Sequence, residues 1–264
     1  YTSGNNNRLG DTPETAVRTI DRAYELLNNN YSRNENIIVV MGTYTGSNSH
    51  YDSATDTNYA KNATLTGAYD GIDYNTRLAM YSGTSTYRYM SGDTTFQYME
   101  WYGGNNQLYF YAQGHSLTMG EQVTMVSYAT SNTNQGLLSA RAPAVHIFGG
   151  WVRYNYATLP RSNAEILIKS GTYGRIILGG SPGTNSASNL QQRTSRNFIG
   201  SSLESDPYNV KVIVDIQNST TSSNYDYDIN LLVGGSAAGN IIGNITEEIK
   251  NGSVYINGEK LQED

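Results

Sequence analysis

Aromatic residues are the side chains of this sequence whose type and spacing best suit ligand binding, with 23 Tyr and 2 Trp among 264 residues. Side chains alternate between the two faces of a β-strand, so Tyr109 and Tyr111 point outward if Leu108 and Phe110 point inward. Aromatic rings pack against sugar C–H groups, while polar neighbours bond to hydroxyls. The alternative is that tyrosine simply suits β-sheet surfaces. The alternation predicts a ligand-binding face formed by Tyr87, Tyr89, Tyr109, Tyr111, His146, Trp151 and Arg153.

Acidic residues give a weaker indication of a metal site. Asp52 and Asp56 lie in one polar loop and are the candidates for bound Ca²⁺, which prefers oxygen ligands. Asp226 and Asp228 alternate with Tyr, a pattern typical of turn carboxylates exposed to solvent. Cysteine is absent, which excludes disulfides and thiolate metal sites. Apart from this calcium candidate, the sequence predicts no cofactor.

The composition favours an extracellular β-rich protein. Only 15% of the residues are charged and the net charge is −6, so uncharged polar residues must cover much of the surface. Without a run of basic residues, nucleic acid is not expected as a partner. No window approaches 18 apolar residues, so membrane insertion is not expected either. The first four residues do not resemble a signal peptide, which indicates a removed signal or a piece of a longer chain.

One amphipathic helix is predicted near the start of the chain, over about 13–27. Asp11, Pro13 and Glu14 are typical of the start of a helix. Charged residues fall on the face opposite the apolar ones, and the asparagines at 28–30 end the pattern. The apolar residues that recur at helical spacing are Ala16, Val17, Ile20, Ala23, Tyr24 and Leu27.

From about residue 36 to the end, short strands are predicted and almost no helix. Each run contains β-branched or aromatic residues and is bounded by Gly, Asn or Ser. The predicted strands lie at 36–44 (a buried strand followed by a turn), 78–81, 96–99, 108–111, 123–126, 145–148, 166–168, 176–178 and 210–214.

Glycine pairs follow several of the later strands and indicate a repeated unit. They occur at 149–150, 179–180 and 234–235. Such repeats favour stacked coils over a β-sandwich, which is the main alternative for many short strands. The opening helix also favours a solenoid, because an open stack of coils needs a cover for the strand edge at its end.

The opening of the chain resembles the N-terminal cap of pectate-lyase-like right-handed parallel β-helices. In that family a Y-x-S-G start is followed by a polar loop, a helix start and a strand ending in Gly-Thr-Tyr. The resemblance implies one all-β solenoid domain over 1–264, with residues 1–36 as the cap and 37–264 as stacked coils. The matching residues are Tyr1, Ser3 and Gly4, then Pro13-Glu14-Thr15-Ala16, then Gly42-Thr43-Tyr44.

The middle of the chain is similar to β-helix modules of large surface proteins of anaerobic Gram-positive bacteria. Many of these look like adhesive or carbohydrate-contacting modules, often anchored to the cell wall. The resemblance implies a cell-surface location, and we expect a monomeric module within a longer chain. The matching phrases are Gly92-Asp93-Thr94-Thr95-Phe96, the run from Ala112 to Gly120, and Ser170-Gly171-Thr172-Tyr173-Gly174.

Three functions remain open at this stage. The leading hypothesis is a non-catalytic module that binds polysaccharide or a host or cell-surface ligand through its outward aromatic face. The second is a polysaccharide lyase or glycoside hydrolase, although the lyase-type Arg-x-Pro-x-x-Arg signature is broken, since Arg141 and Pro143 are followed by His146. The third is a structural spacer. Candidate carboxylates for hydrolysis are scattered, at Glu100, Glu165, Glu204 and Asp215.

Overall fold

The computed structural model shows a mostly β protein with few helical residues and long parallel sheets. The residues that it describes are 4–29, 36–44, 63–79, 86–90, 92–104, 108–112, 115–127, 145–149, 164–178, 209–218, 228–234, 244–256 and 259–260.

Twenty strands lie within the described residues. They are β1 (Ile37–Val39), β2 (Thr43–Tyr44), β3 (Ala63–Thr66), β4 (Ala68–Tyr69), β5 (Ile72–Asp73), β6 (Arg77–Ala79), β7 (Thr86–Tyr89), β8 (Thr94–Gln97), β9 (Met99–Gly104), β10 (Leu108–Tyr111), β11 (Leu117–Met119), β12 (Val123–Ser127), β13 (Val145–Phe148), β14 (Ala164–Ile168), β15 (Arg175–Ile177), β16 (Val210–Asp215), β17 (Leu232–Val233), β18 (Ile245–Asn251), β19 (Tyr255–Ile256) and β20 (Glu259–Lys260).

Three parallel sheets contain most of these strands. The seven-stranded sheet has the order β1-β3-β8-β11-β14-β16-β18, the five-stranded sheet β17-β15-β13-β10-β7, and the four-stranded sheet β12-β9-β6-β2. Each sheet therefore adds its strands in the order in which they occur along the chain. Two small antiparallel pairs, β4 with β5 and β19 with β20, lie outside this scheme.

The chain visits the three sheets in rotation. From β6 through β13 it passes repeatedly from the four-stranded to the five-stranded to the seven-stranded sheet and back to the four-stranded one. Parallel neighbours within a sheet need such long crossover connections, since a short hairpin can join only antiparallel strands. Between β6 and β13, each crossover itself contributes strands to the other two sheets.

Buried side chains form one ladder across the whole seven-stranded sheet. Six of its members are at most 7% exposed, and the last, Ile249, is partly buried against the same core. Like-sized aliphatic and aromatic groups on adjacent strands bury apolar surface that would otherwise meet water. In spatial order the ladder runs Ile38, Leu65, Phe96, Met119, Ile168, Val214 and Ile249.

Side chains from all three sheets meet in this core. Trp101 of the four-stranded sheet lies 5.1 Å, between ring centroids, from both Phe96 of the seven-stranded sheet and Phe110 of the five-stranded sheet. Both contacts are edge-to-face, the arrangement that aromatic quadrupoles favour. All three rings are at most 1% exposed. The three sheets therefore enclose one continuous interior.

The helical prediction needs a correction at its start. Pro13–Thr15 is a short 3-10 helix capped by Thr12, and the α-helix α1 covers Ile20–Asn29. A helical turn does begin here, but its cap is Thr12, paired with Thr15, rather than Asp11 with Glu14, and this turn does not continue into α1. Instead the backbone amides of Arg18 and Thr19 donate to the Asn6 side chain, and this contact fixes the entry to α1.

Most predicted strands are found, with corrected ends. The predictions at 108–111 and 145–148 match β10 and β13. The predicted strand at 96–99 is wrong, because Tyr98 has a φ of 53° and separates β8 from β9. A residue whose backbone lies in this left-handed region cannot continue an extended strand. Its apolar neighbours Phe96 and Met99 therefore belong to two different sheets.

The first residue of the glycine pair at 149–150 has a steric explanation. A Cβ built on Gly149 would lie 2.4 Å from the carbonyl oxygen of Leu178. The amide of Gly149 also donates to the carbonyl oxygen of Ile177 at 2.8 Å. Glycine therefore allows the end of β13 to approach the neighbouring pass of the chain more closely than any residue with a side chain could.

Candidate functional site

The five-stranded sheet brings most of the predicted aromatic face together. Tyr109 of β10 pairs with Tyr87 of β7 and with His146 of β13, and His146 pairs with Arg175 of β15. We call these rows the tyrosine columns: Tyr87, Tyr109, His146 and Arg175 form the first, and Tyr89, Tyr111, Phe148 and Ile177 form the second.

The predicted alternation on β10 is confirmed for residues 108–110. Leu108 and Phe110 are fully buried in the core, whereas Tyr109 between them is only partly buried. The Tyr109 ring lies 5.0 Å from the His146 ring and 6.3 Å from the Phe148 ring, between centroids, and is nearly parallel to Phe148. Tyr109 is therefore held in one orientation by two aromatic neighbours on the next strand.

His146 corrects the prediction of an exposed platform. It lies beside Tyr109 as expected, but its side chain is fully buried. Phe148 and Ile177 in the second column are also buried, at 2% and 4% exposure. Alternation along a strand fixes the side of the sheet on which a residue lies, but not whether other parts of the chain cover that side. At β13 this side is covered.

The environment of His146 keeps its imidazole neutral. Burial, with a smaller contribution from the charge of Arg175, lowers the pKa of His146 to about 3. Within the described part of the chain, neither ring nitrogen has a hydrogen-bond partner. A buried polar group without a partner costs about 1–3 kcal/mol, so this histidine destabilises the folded protein.

The structure describes less of the remaining predicted site residues. The backbones of Tyr87, Tyr89 and Tyr111 lie on β7 and β10 at the register positions given above. Trp151 and Arg153 lie outside the described residues, and so do the calcium candidates Asp52 and Asp56. Among the described residues, no three His, Cys, Asp or Glu side chains are grouped as metal ligands.

The four-stranded sheet exposes a polar group that the sequence did not predict. Arg77 of β6 forms an ion pair with Glu100 of β9, with 2.5 Å between Nε and Oε1. The Arg77 guanidinium also lies 3.8 Å from the centroid of the Tyr102 ring. Thr124 of β12 pairs in register with Glu100 and is exposed. These residues are far apart in sequence, so only an alignment of successive passes could have found them.

The other acidic residues lie in separate places. Glu248 binds Lys211 at 2.7 Å and Lys250 at 3.3 Å on the outer side of the seven-stranded sheet. Asp215 accepts a hydrogen bond from the Asn251 side chain. Asp228 was predicted to be a solvent-exposed turn carboxylate, and this is wrong, since it is fully buried and accepts a bond from the Ser253 amide at 2.8 Å. Its buried carboxylate therefore stabilises the chain around Ser253 from the core side.

Comparison with known proteins gives no independent indication of function. The chain matches no protein-family model, and no curated protein or solved structure is significantly similar to it. No α-helix among the described residues is long and apolar enough to span a membrane. Function must therefore be argued from the arrangement of the chain's own residues.

Proposed function

We propose that the three parallel sheets are the faces of a right-handed parallel β-helix, in which one visit to each sheet makes one coil. The rotation of the chain through the sheets supports this, and so does the shared contact of Phe96, Trp101 and Phe110. The right-handed sense follows from the strong general preference of parallel crossovers.

In this fold, residues 1–36 act as a cap and 37–264 as the coils of one domain. The edge strand β1 would otherwise expose unpaired backbone groups and apolar side chains. Helix α1 contacts β1 and places Ile20, Tyr24 and Leu27 in the common core. An amphipathic helix in this position is suited to closing the first coil.

We infer that the protein is an extracellular, cell-surface module that binds polysaccharide or a similar host or cell-surface ligand without cleaving it. The observation that carries this proposal is the alignment of Tyr87 with Tyr109 and of Tyr89 with Tyr111 on adjacent strands. Adjacent strands lie about 4.8 Å apart, so such residues repeat at short, regular intervals. Regularly spaced aromatic groups suit a polymer of repeating sugar units.

The burial at β13 narrows the proposed contact region. Since His146 and Phe148 are covered, we assign the proposed sugar contacts to β7 and β10. His146 and Phe148 on the adjacent strand then support Tyr109 from the side rather than touching the ligand.

Retention on insoluble cellulose, xylan and chitin tests the proposal. We expect wild-type protein to be retained on at least one of them and Tyr109→Ala to be retained about tenfold less tightly, since an aromatic contact is worth about 1 kcal/mol or more. Tyr69→Ala is the matched control, because Tyr69 is 51% exposed on the separate β4–β5 pair. Soluble sugar should not appear in the supernatant.

Two outcomes would contradict binding through the tyrosine columns. One is a lack of retention of wild-type protein on every polysaccharide. The other is equal retention of wild type, Tyr109→Ala and Tyr69→Ala, with circular dichroism showing that all three are folded.

A further inference from the structure

Polar residues from successive passes of the chain form a row along the corner where the chain enters the four-stranded sheet. Asn75, Tyr98 and Gln122 stand just before β6, β9 and β12, and all three have positive φ values, of 49°, 53° and 52°. The pairing of Arg77 with Glu100 and of Met99 with Val123 puts them at equivalent positions on adjacent passes. The corner is therefore a repeated structure, occupied by two amides and a phenol.

This row is accessible to solvent. Asn75 and Gln122 are exposed and Tyr98 is partly exposed. The Tyr98 hydroxyl donates to Oε2 of Glu121 at 2.7 Å, which holds the side chain across the corner. The same carboxylate raises the pKa of the Tyr98 hydroxyl, so the ring stays neutral.

A second polar row runs beside the first. Two residues after each corner come Arg77, Glu100 and Thr124, which pair in register on β6, β9 and β12. Two residues along a strand correspond to about 6.6 Å, and adjacent strands to about 4.8 Å. The two rows thus make a compact grid of donors and acceptors over three passes of the chain. We call it the corner surface: Asn75, Tyr98, Gln122, Arg77, Glu100 and Thr124.

The charges of the corner surface are already balanced among themselves. Arg77 is held by Glu100 on one side and by the ring of Tyr102 on the other. An anionic ligand would have to displace Glu100 from Arg77, and it would meet the nearby Glu121 and a chain of net charge −6. A neutral ligand with many hydroxyl groups avoids both costs, because it can bond to the amides and to carboxylate oxygens without separating the ion pair.

We infer that the corner surface is a second binding site of this protein, for an uncharged, hydroxyl-rich polymer lying across the strands of β6, β9 and β12. The inference rests on the proposed polysaccharide binding and names the ligand class, a neutral rather than a uronic-acid polysaccharide. It places this contact on a different sheet from the tyrosine columns. The ring of Tyr98 supplies the apolar face for sugar C–H groups, and Glu100, Asn75 and Gln122 bond to hydroxyls.

Affinity electrophoresis of the full chain tests this inference, in gels containing galactomannan, xyloglucan, hydroxyethylcellulose or polygalacturonate. We expect at least one neutral polysaccharide to retard the protein and polygalacturonate not to. Tyr98→Gly removes the ring while keeping a residue that accepts positive φ, and Glu100→Gln removes the charge at nearly constant shape. Each should weaken retardation about tenfold, the effect of losing one good contact. Glu165→Gln is the control. Glu165 is an exposed residue on β14 of the seven-stranded sheet, so this variant should leave the retardation unchanged.

Three outcomes would overturn the inference. They are stronger retardation by polygalacturonate than by the neutral polymers, equal retardation of wild type and both folded corner variants, and no retardation of wild type in any gel. Tyr109→Ala in the same gels separates this inference from the proposed function. If Tyr109→Ala alone weakens retardation, polysaccharide binding through the tyrosine columns stands and the corner surface is rejected.

Discussion

The same alternation of side chains places the outward residues of β13, in the five-stranded sheet, and of β9 and β12, in the four-stranded sheet, but these residues differ in their contact with solvent. On β13, His146 and Phe148 occupy outward positions and are buried. On β9 and β12, Glu100 and Thr124 occupy outward positions and are partly or fully exposed. The residue types agree with this difference, since Phe148 on β13 and Ile177 on the neighbouring β15 are buried, whereas Arg77 and Glu100 form an ion pair on the open side.

The alternating pattern of a single strand predicts only half of an outward residue's environment. A strand gives the side of the sheet, whereas the rest of the chain decides whether that side meets water. Because His146 is buried, we expect the ligand to contact Tyr109 and the corner surface instead.

Truncation of an outward residue should have its largest effect on the covered side. We expect Phe148→Ala to lower the free energy of unfolding by about 3–5 kcal/mol, as for a core phenylalanine, because it is 2% exposed and stacks on Tyr109. Thr124→Ala, its counterpart on the open side, should change it by less than about 0.5 kcal/mol. Urea denaturation measures both. Similar small changes for the two variants would mean that the sides do not differ.

His146 predicts a smaller, pH-dependent effect. Its pKa of about 3 in the folded protein lies below the ordinary 6.5, so the unfolded chain binds the extra proton between these values. Stability should therefore fall as the pH drops from about 6.5 toward 3, by up to about 1.4 kcal/mol per pH unit from this group. His146→Leu should remove this dependence, and at pH 7 it should stabilise the protein by about 1–3 kcal/mol by deleting unpartnered buried nitrogens.

Parallel urea titrations of wild type and His146→Leu at pH 7, 5.5 and 4 would measure this effect. Tyr109→Phe is the control, since it alters the same column without adding or removing a group that titrates in this range. A constant difference between wild type and His146→Leu across these pH values would show that His146 is not buried in the neutral form.

Much of the local structure could be predicted from the sequence. The runs at 108–111 and 145–148 have strong β-forming residues between turn residues, and local preferences suffice to place them. Tyr98 was assigned to a strand because tyrosine favours strands, and nothing nearby in the sequence indicated a left-handed φ. The start of α1 was misplaced because the decisive contact comes from Asn6, outside the window of the helical pattern.

The candidate site was less predictable because it depends on register between distant segments. Tyr109 lies much closer in sequence to Tyr87 than to His146, yet it pairs with both. Arg77, Glu100 and Thr124 follow one another at intervals of 23 and 24 residues, but nothing in the local sequence shows that each interval is one pass of the chain. Coverage of His146 depends on still longer-range packing.

Both proposed binding surfaces require successive passes of the chain to stack in register, so that outward side chains form columns. Because the chain has no cysteine, introduced pairs can test this directly. Thr95 and Thr118 are register partners on β8 and β11, and adjacent strands bring Cα atoms within the range of about 4.4–6.8 Å that a disulfide requires. We predict that the double variant Thr95→Cys, Thr118→Cys forms a disulfide on mild oxidation. The double variant Thr95→Cys, Leu117→Cys should not, because Leu117 is one residue out of register with Thr95 and points into the core. Cross-linking of the slipped pair in place of the register pair would contradict the stacking on which both binding surfaces depend.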